Sequence, residues 1–170
     1  MHLRTATADD AVAIATVHVR TWQSAYRGLI PDGYLETLSV EGRSEIWNRI
    51  LAGTDLPRSG AFVVEDDDAV IGFVHVAPTR DADVPVTTGE LTSIYVLPCA
   101  WGRGGGRLLM SAALTSMKAA GFTTAMLWVL ENNLRARAFY DRQRWTADGT
   151  HKIDDRGDFV LLEMRYRTTI

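Results

Sequence analysis

Between Leu91 and Arg107 the chain reads LTSIYVLPCAWGRGGGR, and this stretch restricts the possible folds more than any other. Leu91 to Leu97 is rich in β-branched and aromatic residues and ends at Pro98, which is the pattern of a strand. Beyond it, Leu109 or Met110, Ala113 or Leu114, Met117 and Ala120 recur at helical spacing until Gly121 stops the helix. GRGGGR lies between the two. Without β-carbons, backbone N–H groups can converge at a helix N-terminus, where unpaired donors and the helix dipole favour a phosphate oxygen. A ligand carrying a polyphosphate is the first expectation, although glycines that merely shape a turn would leave the same pattern.

Two other phosphate motifs do not fit. A nucleotide-hydrolysing P-loop needs Lys and then Ser or Thr after its last glycine, but Gly106 is followed by Arg107 and Leu108. A dinucleotide fingerprint starting at Gly102 needs a glycine where Arg107 stands, and one starting at Gly104 needs a glycine at Leu109. The net charge of -3 also argues against a nucleic-acid surface. Arg103, Arg107, Arg135, Arg137 and Arg142 still allow a local basic patch suited to one phosphorylated cofactor.

A second informative stretch is VLENNLRARAFYDRQRW, in which Asn132 or Asn133 can cap a helix running to about Gln143. Positions 133, 136 or 137, and 140 share one helix face, so the cap and the Tyr140 phenol are expected on the same side. Phe139 is expected to turn into the core.

The remaining elements follow in order. His2 to Ala6 fits an edge strand, and Thr7 with Asp10 resembles a capping box for a helix reaching about Tyr26. Two short helices are expected between Tyr34 and Leu51, split near Ser39 to Gly42. A hairpin follows, Ala61 to Glu65 and Val70 to Ala77, turning at the acidic Asp66 to Asp68. Pro78 to Gly89 reads as a long mobile connection. Strands are expected at Thr124 to Leu130, around Trp145 to Ile153, and at Gly157 to Arg167. A length of 170 residues suits a single domain spanning 1–170.

The two stretches together resemble the GNAT superfamily of N-acetyltransferases, and the order of elements matches that family across nearly the whole chain. The family's loop runs Arg or Gln, two variable residues, Gly, one variable residue, then Gly or Ala. Its two glycines fall here on Gly104 and Gly106, and Trp101 replaces the usual Arg or Gln. The second signature puts its Asn on Asn133, its Ala on Ala136 and its Phe-Tyr pair on Phe139 and Tyr140. The resemblance implies a single-domain α/β GNAT fold whose mixed, largely antiparallel sheet has splayed central strands and flanking helices. It further implies acetyl-CoA as co-substrate, with the pantetheine arm on the backbone of Ile94, Tyr95 and Val96. The pyrophosphate would lie on Gly102, Arg103, Gly104, Gly105, Gly106 and Arg107, with Asn133 and Ala136 completing the cofactor site.

Transfer to an amine sets the remaining requirements. A lysine-like amine with a pKa near 10.4 must lose a proton, and Glu90 at the start of the central strand is the candidate base, with a water chain as alternative. Charge developing on the acyl oxygen would be met by a backbone N–H near Val96. A phenol of pKa about 10 can protonate the departing thiolate, so Tyr140 is the candidate acid. Cys99 has no His or Asp at indicative spacing and is expected to be neither nucleophile nor disulfide partner. His18, His75 and His151 are scattered, so no metal is expected. The acceptor, a small molecule or a protein, is not readable, and one or two of Trp22, Tyr26, Tyr34 and Trp47 could line its pocket. A non-catalytic acyl-CoA-binding or regulatory module is the alternative function. No membrane span and no secretory leader are recognisable, so a cytoplasmic location is expected; a homodimer is left open.

Overall fold

The computed structural model describes residues 1–170. Its elements are β1 (His2–Thr5), α1 (Ala11–Ala25), α2 (Asp32–Thr37), α3 (Val40–Ala52), β2 (Gly60–Asp66), β3 (Ala69–Pro78), β4 (Thr88–Val96), α4 (Gly105–Ala119), β5 (Thr124–Leu130), α5 (Leu134–Arg142), β6 (Thr146–Asp155) and β7 (Val160–Thr169). Local chemistry sets the boundaries. The Thr7–Asp10 capping box forms, Asp10 accepting the Thr7 N–H at 2.7 Å, and Ser39 caps α3 by accepting from the Gly42 N–H at 3.0 Å. No helix is long and apolar enough to cross a membrane.

All seven strands form one sheet in the order β1-β2-β3-β4-β5-β7-β6. Neighbours run antiparallel except β4 and β5, which are parallel. Alternation along the strands builds a core on each face. Val64 and Val74 join Leu109, Met110, Ala113 and Met117 of α4, whereas Val63 and Phe73 join Ile14 and Val17 of α1 and Trp47 of α3. Leu109 is completely buried, so Leu109→Ala would cost about 2 to 5 kcal/mol and loosen the helix that opens at the glycine loop.

Two irregularities create the site. The β4–β5 ladder holds only from Thr88 to Glu90 against Thr124 to Met126; beyond that the strands part. Just past the last pair, β4 bulges: His75 faces Ser93 and Val76 faces Leu91, so Thr92 has no partner in β3. The extra residue resets the alternation. Leu91, Ile94 and Val96 pack toward α4, while Glu90, Thr92 and Ser93 line a cavity with α1 and α3 residues.

The connection from β3 to β4, expected to be mobile, is tied down. Arg165 of β7, only 5% exposed, donates to Asp81 at 3.3 Å, Asp83 at 2.9 Å, Asp148 at 2.7 Å and Thr150 at 2.9 Å. Asp81 also accepts from Trp128 Nε1 at 3.1 Å. The partners of Arg165 come from far along the chain, so nothing in the local sequence of this segment shows that it is held.

Candidate active site

The opening between β4 and β5 is a cleft of about 670 Å³. Glu90, Ile94, Tyr95, Val96, Gly102, Gly104, Gly105, Gly106, Arg107, Asn133, Ala136 and Tyr140 all line it. Of the residues expected to act in catalysis or hold the cofactor, Arg103 alone does not. Its guanidinium turns outward to Asp66 at 2.7 Å, on the β2–β3 turn. Arg137, expected in the basic patch, is also outside the cleft and donates to the Glu131 carbonyl at 2.8 Å. The cations on the cleft are Arg107, Arg135, Arg142, Lys152 and Arg156.

At one end of the cleft, Gly104 is the N-cap of α4, and its φ of 96° is left-handed, as is the 77° of Gly102. A β-carbon at either would meet nothing within 4 Å, so backbone conformation and not crowding requires glycine there. No side chain caps this helix, and the N–H groups of Gly105 and Gly106 have no backbone acceptor; those of Arg107 and Leu108 both go to the Gly104 carbonyl, at 3.0 and 3.2 Å. Two donors are therefore free where the helix dipole is positive, an arrangement that suits a phosphate. Phe139 is half-buried and lines the cleft, close to where a β-carbon on Gly106 would lie, and is not a pure core residue.

The unpaired edge of β4 supplies backbone groups. Leu97 N–H bonds Ile71 O in β3 at 2.8 Å, so by alternation the N–H and C=O of Val96 and of Ile94 point to the open side. The Val96 carbonyl is already engaged by Trp101 Nε1 at 2.6 Å. Trp101, standing where the resemblance expects Arg or Gln, is thus a structural tie, and the Arg135 guanidinium lies over its ring.

Across the cleft Asn133 caps α5, accepting from the Ala136 N–H at 3.1 Å, and about two turns on Tyr140 is 7% exposed beside Tyr166 and Trp145. Burial, with a smaller contribution from the Tyr95 phenol, holds the Tyr140 phenol well above its ordinary range. Glu90 is raised too: burial is the largest cause and the Asp81 carboxylate adds to it, opposed by Lys152, an Arg80 backbone hydrogen bond and the Arg80 charge. Trp22 and Tyr26 line the same cleft; Tyr34 instead packs on Phe159 at 4.9 Å between ring centroids. Cys99 is exposed and lies outside it.

A second cavity of about 320 Å³ lies on the α1 and α3 side of β4 and shares Glu90, Thr92 and Ser93 with the cleft. His18, Arg43, Trp47, His75 and Arg80 also line it. Sequence reading misses this grouping, because His18 and His75 lie on separate elements with no spacing to relate them; the one available signal is that His18 shares the helical phase of Ile14 and Thr21.

The family model described as the acetyltransferase (GNAT) family matches residues 19–144. This chain belongs to that family. It is 32% identical over 133 residues to the uncharacterized N-acetyltransferase YuaI of Bacillus subtilis (strain 168), an alignment covering 77% of this chain and 72% of YuaI. The fold of this GNAT acetyltransferase matches the PaiA N-acetyltransferase of Thermoplasma acidophilum in complex with coenzyme A, with a TM-score of 0.71 at 19% identity over 99% of this chain and 98% of that one. It likewise matches YncA of Salmonella typhimurium with acetyl-CoA, at a TM-score of 0.73 and 18% identity over 99% and 93%.

Proposed function

We propose that the protein transfers an acetyl group directly from acetyl-CoA to a primary amine in the β4–β5 cleft. The observation that carries this reading is that one cavity joins uncapped helix N–H groups, an unpaired strand edge, a buried phenol and a carboxyl of raised pKa. Gly105 and Gly106 N–H hold the pyrophosphate, and Arg107 neutralises its charge. Ile94, whose N–H and C=O both face the open side, binds a pantetheine amide as a strand would. Acetyl-CoA supplies a thioester already activated toward an amine.

Glu90 takes the proton the acceptor amine must lose, directly or through a water. Its raised pKa makes it a stronger base than an exposed carboxylate, closer to the working pH where proton transfer is efficient. Val96 N–H, fixed toward the cleft, donates to the acyl oxygen as negative charge develops there. Tyr140 gives its proton to sulfur as the carbon–sulfur bond breaks, leaving an acetamide and free CoA. Burial keeps the phenol loaded with its proton, and the same burial penalises the departing thiolate, which then takes the proton more readily.

The test is release of free thiol from acetyl-CoA across a panel of amines. Acetyl-CoA binding with no thiol release for any amine would leave a non-catalytic acyl-CoA-binding module in place of the enzyme.

A further inference from the structure

The side cavity holds charges that the reaction above does not use. Arg43, half-buried on α3, and Arg80, exposed just after β3, both line it, and neither guanidinium lies within 4.0 Å of a carboxylate. His18 is 8% exposed, and its Nδ1 accepts from Trp47 Nε1 at 3.2 Å, so the ring carries its proton on Nε2. That N–H has no partner. Burial, helped by the Arg43 charge, pushes the His18 pKa down to about 3, so the ring remains a neutral donor. Buried donors are nearly always answered, yet the Nε2–H of His18 is not, and His18 shares the lining of this cavity with two cations that have no carboxylate partner, half-buried Arg43 and exposed Arg80.

We propose that this cavity binds a carboxylate of the acetyl acceptor, so that the acceptor is a small amine that also bears a carboxylate. The inference rests on the β4–β5 cleft being the transfer site. Glu90, Thr92 and Ser93 line both cavities, so a molecule seated in the side cavity reaches the transfer point. The amine faces Glu90, and the carboxylate faces Arg43, with Arg80 as a second cation. A guanidinium offers two parallel donors that match a carboxylate's two oxygens. The walls between are apolar, from Ile46, Trp47 and Ile50 on one side and Ala77 and Pro78 on the other. A volume of about 320 Å³ is at the small end of ligand sites and suits an amino acid with an apolar side chain.

Matched amines test this. Thiol release from acetyl-CoA is followed with phenylalanine and phenethylamine, and with leucine and isopentylamine, each pair differing by one carboxylate. The expected result is a kcat/KM at least about tenfold higher for the carboxylate-bearing member, since a charge-assisted hydrogen bond is at stake. In Arg43→Met the ratio collapses toward one, largely through KM, and Arg43→Lys restores part of it; acetyl-CoA affinity measured by calorimetry checks that each variant is folded. Equal rates within the pairs, or a preference that survives Arg43→Met and Arg80→Met together, overturns the proposal. A phosphoethanolamine-over-ethanolamine preference exceeding that for phenylalanine would overturn the carboxylate in favour of phosphate. Binding of 3-phenylpropionate separates the two readings. Arg43-dependent binding without turnover of any amine sinks the transfer reading and the acceptor assignment with it, leaving only a carboxylate site in the side cavity; turnover of phenethylamine as fast as phenylalanine, with no phenylpropionate binding, keeps the transfer reading and overturns the carboxylate site.

Discussion

The Arg135 guanidinium lies 3.2 Å from the centroid of the Trp101 ring, joining the first turn of α5 to the loop ahead of α4. Both residues line the cleft, so the contact fastens its two walls together at the end where α4 begins. A cation over an indole contributes roughly 0.5 to 2 kcal/mol, depending on desolvation. In a double-mutant cycle of Trp101→Ala and Arg135→Ala, thermal or denaturant unfolding should show a coupling of about that size. Strictly additive losses would mean the two residues act separately.

Tyr140→Phe removes one hydroxyl from a buried ring and should leave packing and acetyl-CoA affinity nearly intact. If the phenol is the acid, kcat falls by about 10²- to 10⁴-fold, or roughly 2.7 to 5.4 kcal/mol of barrier. Because the phenol is held above its ordinary pKa of about 10, the wild-type rate should show no loss from its ionisation below about pH 10. Near-normal kcat in the variant, measured where chemistry limits the rate, would assign the proton to water.

For Glu90 the sign of the pH effect is set by burial and Asp81, which both favour the neutral acid. The base is lost as pH falls through a pKa above the ordinary carboxylate value, so the acidic limb of kcat/KM should lie higher than an exposed Glu would place it. Asp81→Asn removes a negative neighbour and should move that limb to lower pH. Glu90→Gln should abolish it and lower the rate by about 10²-fold or more. A limb that persists unchanged in Glu90→Gln belongs to another group.

Gly104→Val places a β-branched side chain at a φ of 96°, which costs at least 1 to 2 kcal/mol or so of backbone strain. It also fills the space ahead of the free amides. Calorimetry should find acetyl-CoA binding weakened by about tenfold or more. Unchanged affinity in a folded variant would take the loop out of the site.

Arg165→Met leaves Asp81, Asp83 and Asp148 without their shared cation. Removing one partner of a buried ion pair costs roughly 3 to 5 kcal/mol, and the low end applies because Asp83 is largely exposed. Amide exchange in residues 79–87 should speed up, and the melting temperature should fall by about 6 to 12 °C. Slow exchange in that segment despite the substitution would show that other contacts hold it.

What was legible in the sequence was local. The glycine run, the Thr7–Asp10 box, the Asn133 cap and the 133–136–140 face each depend on residues within a turn or two, where spacing alone dictates geometry. Even there, membership of the loop did not fix where a long side chain goes: Arg103 left the phosphate end because Asp66, from a turn far back in the chain, lay within its reach.

Tertiary structure decided the rest. The Arg165 clamp, the Trp101 tie to Val96 and the cavity shared by His18, Arg43, His75 and Arg80 bring together residues from separate elements with no periodic relation. The bulge at Thr92 decides which face of β4 carries Glu90 and Ser93, and one extra residue in a period-two strand leaves no mark in composition. By itself the sequence determined the loop, the caps and the family; which charges meet across β4 depended on how the sheet bends, because their partners lie on separate elements.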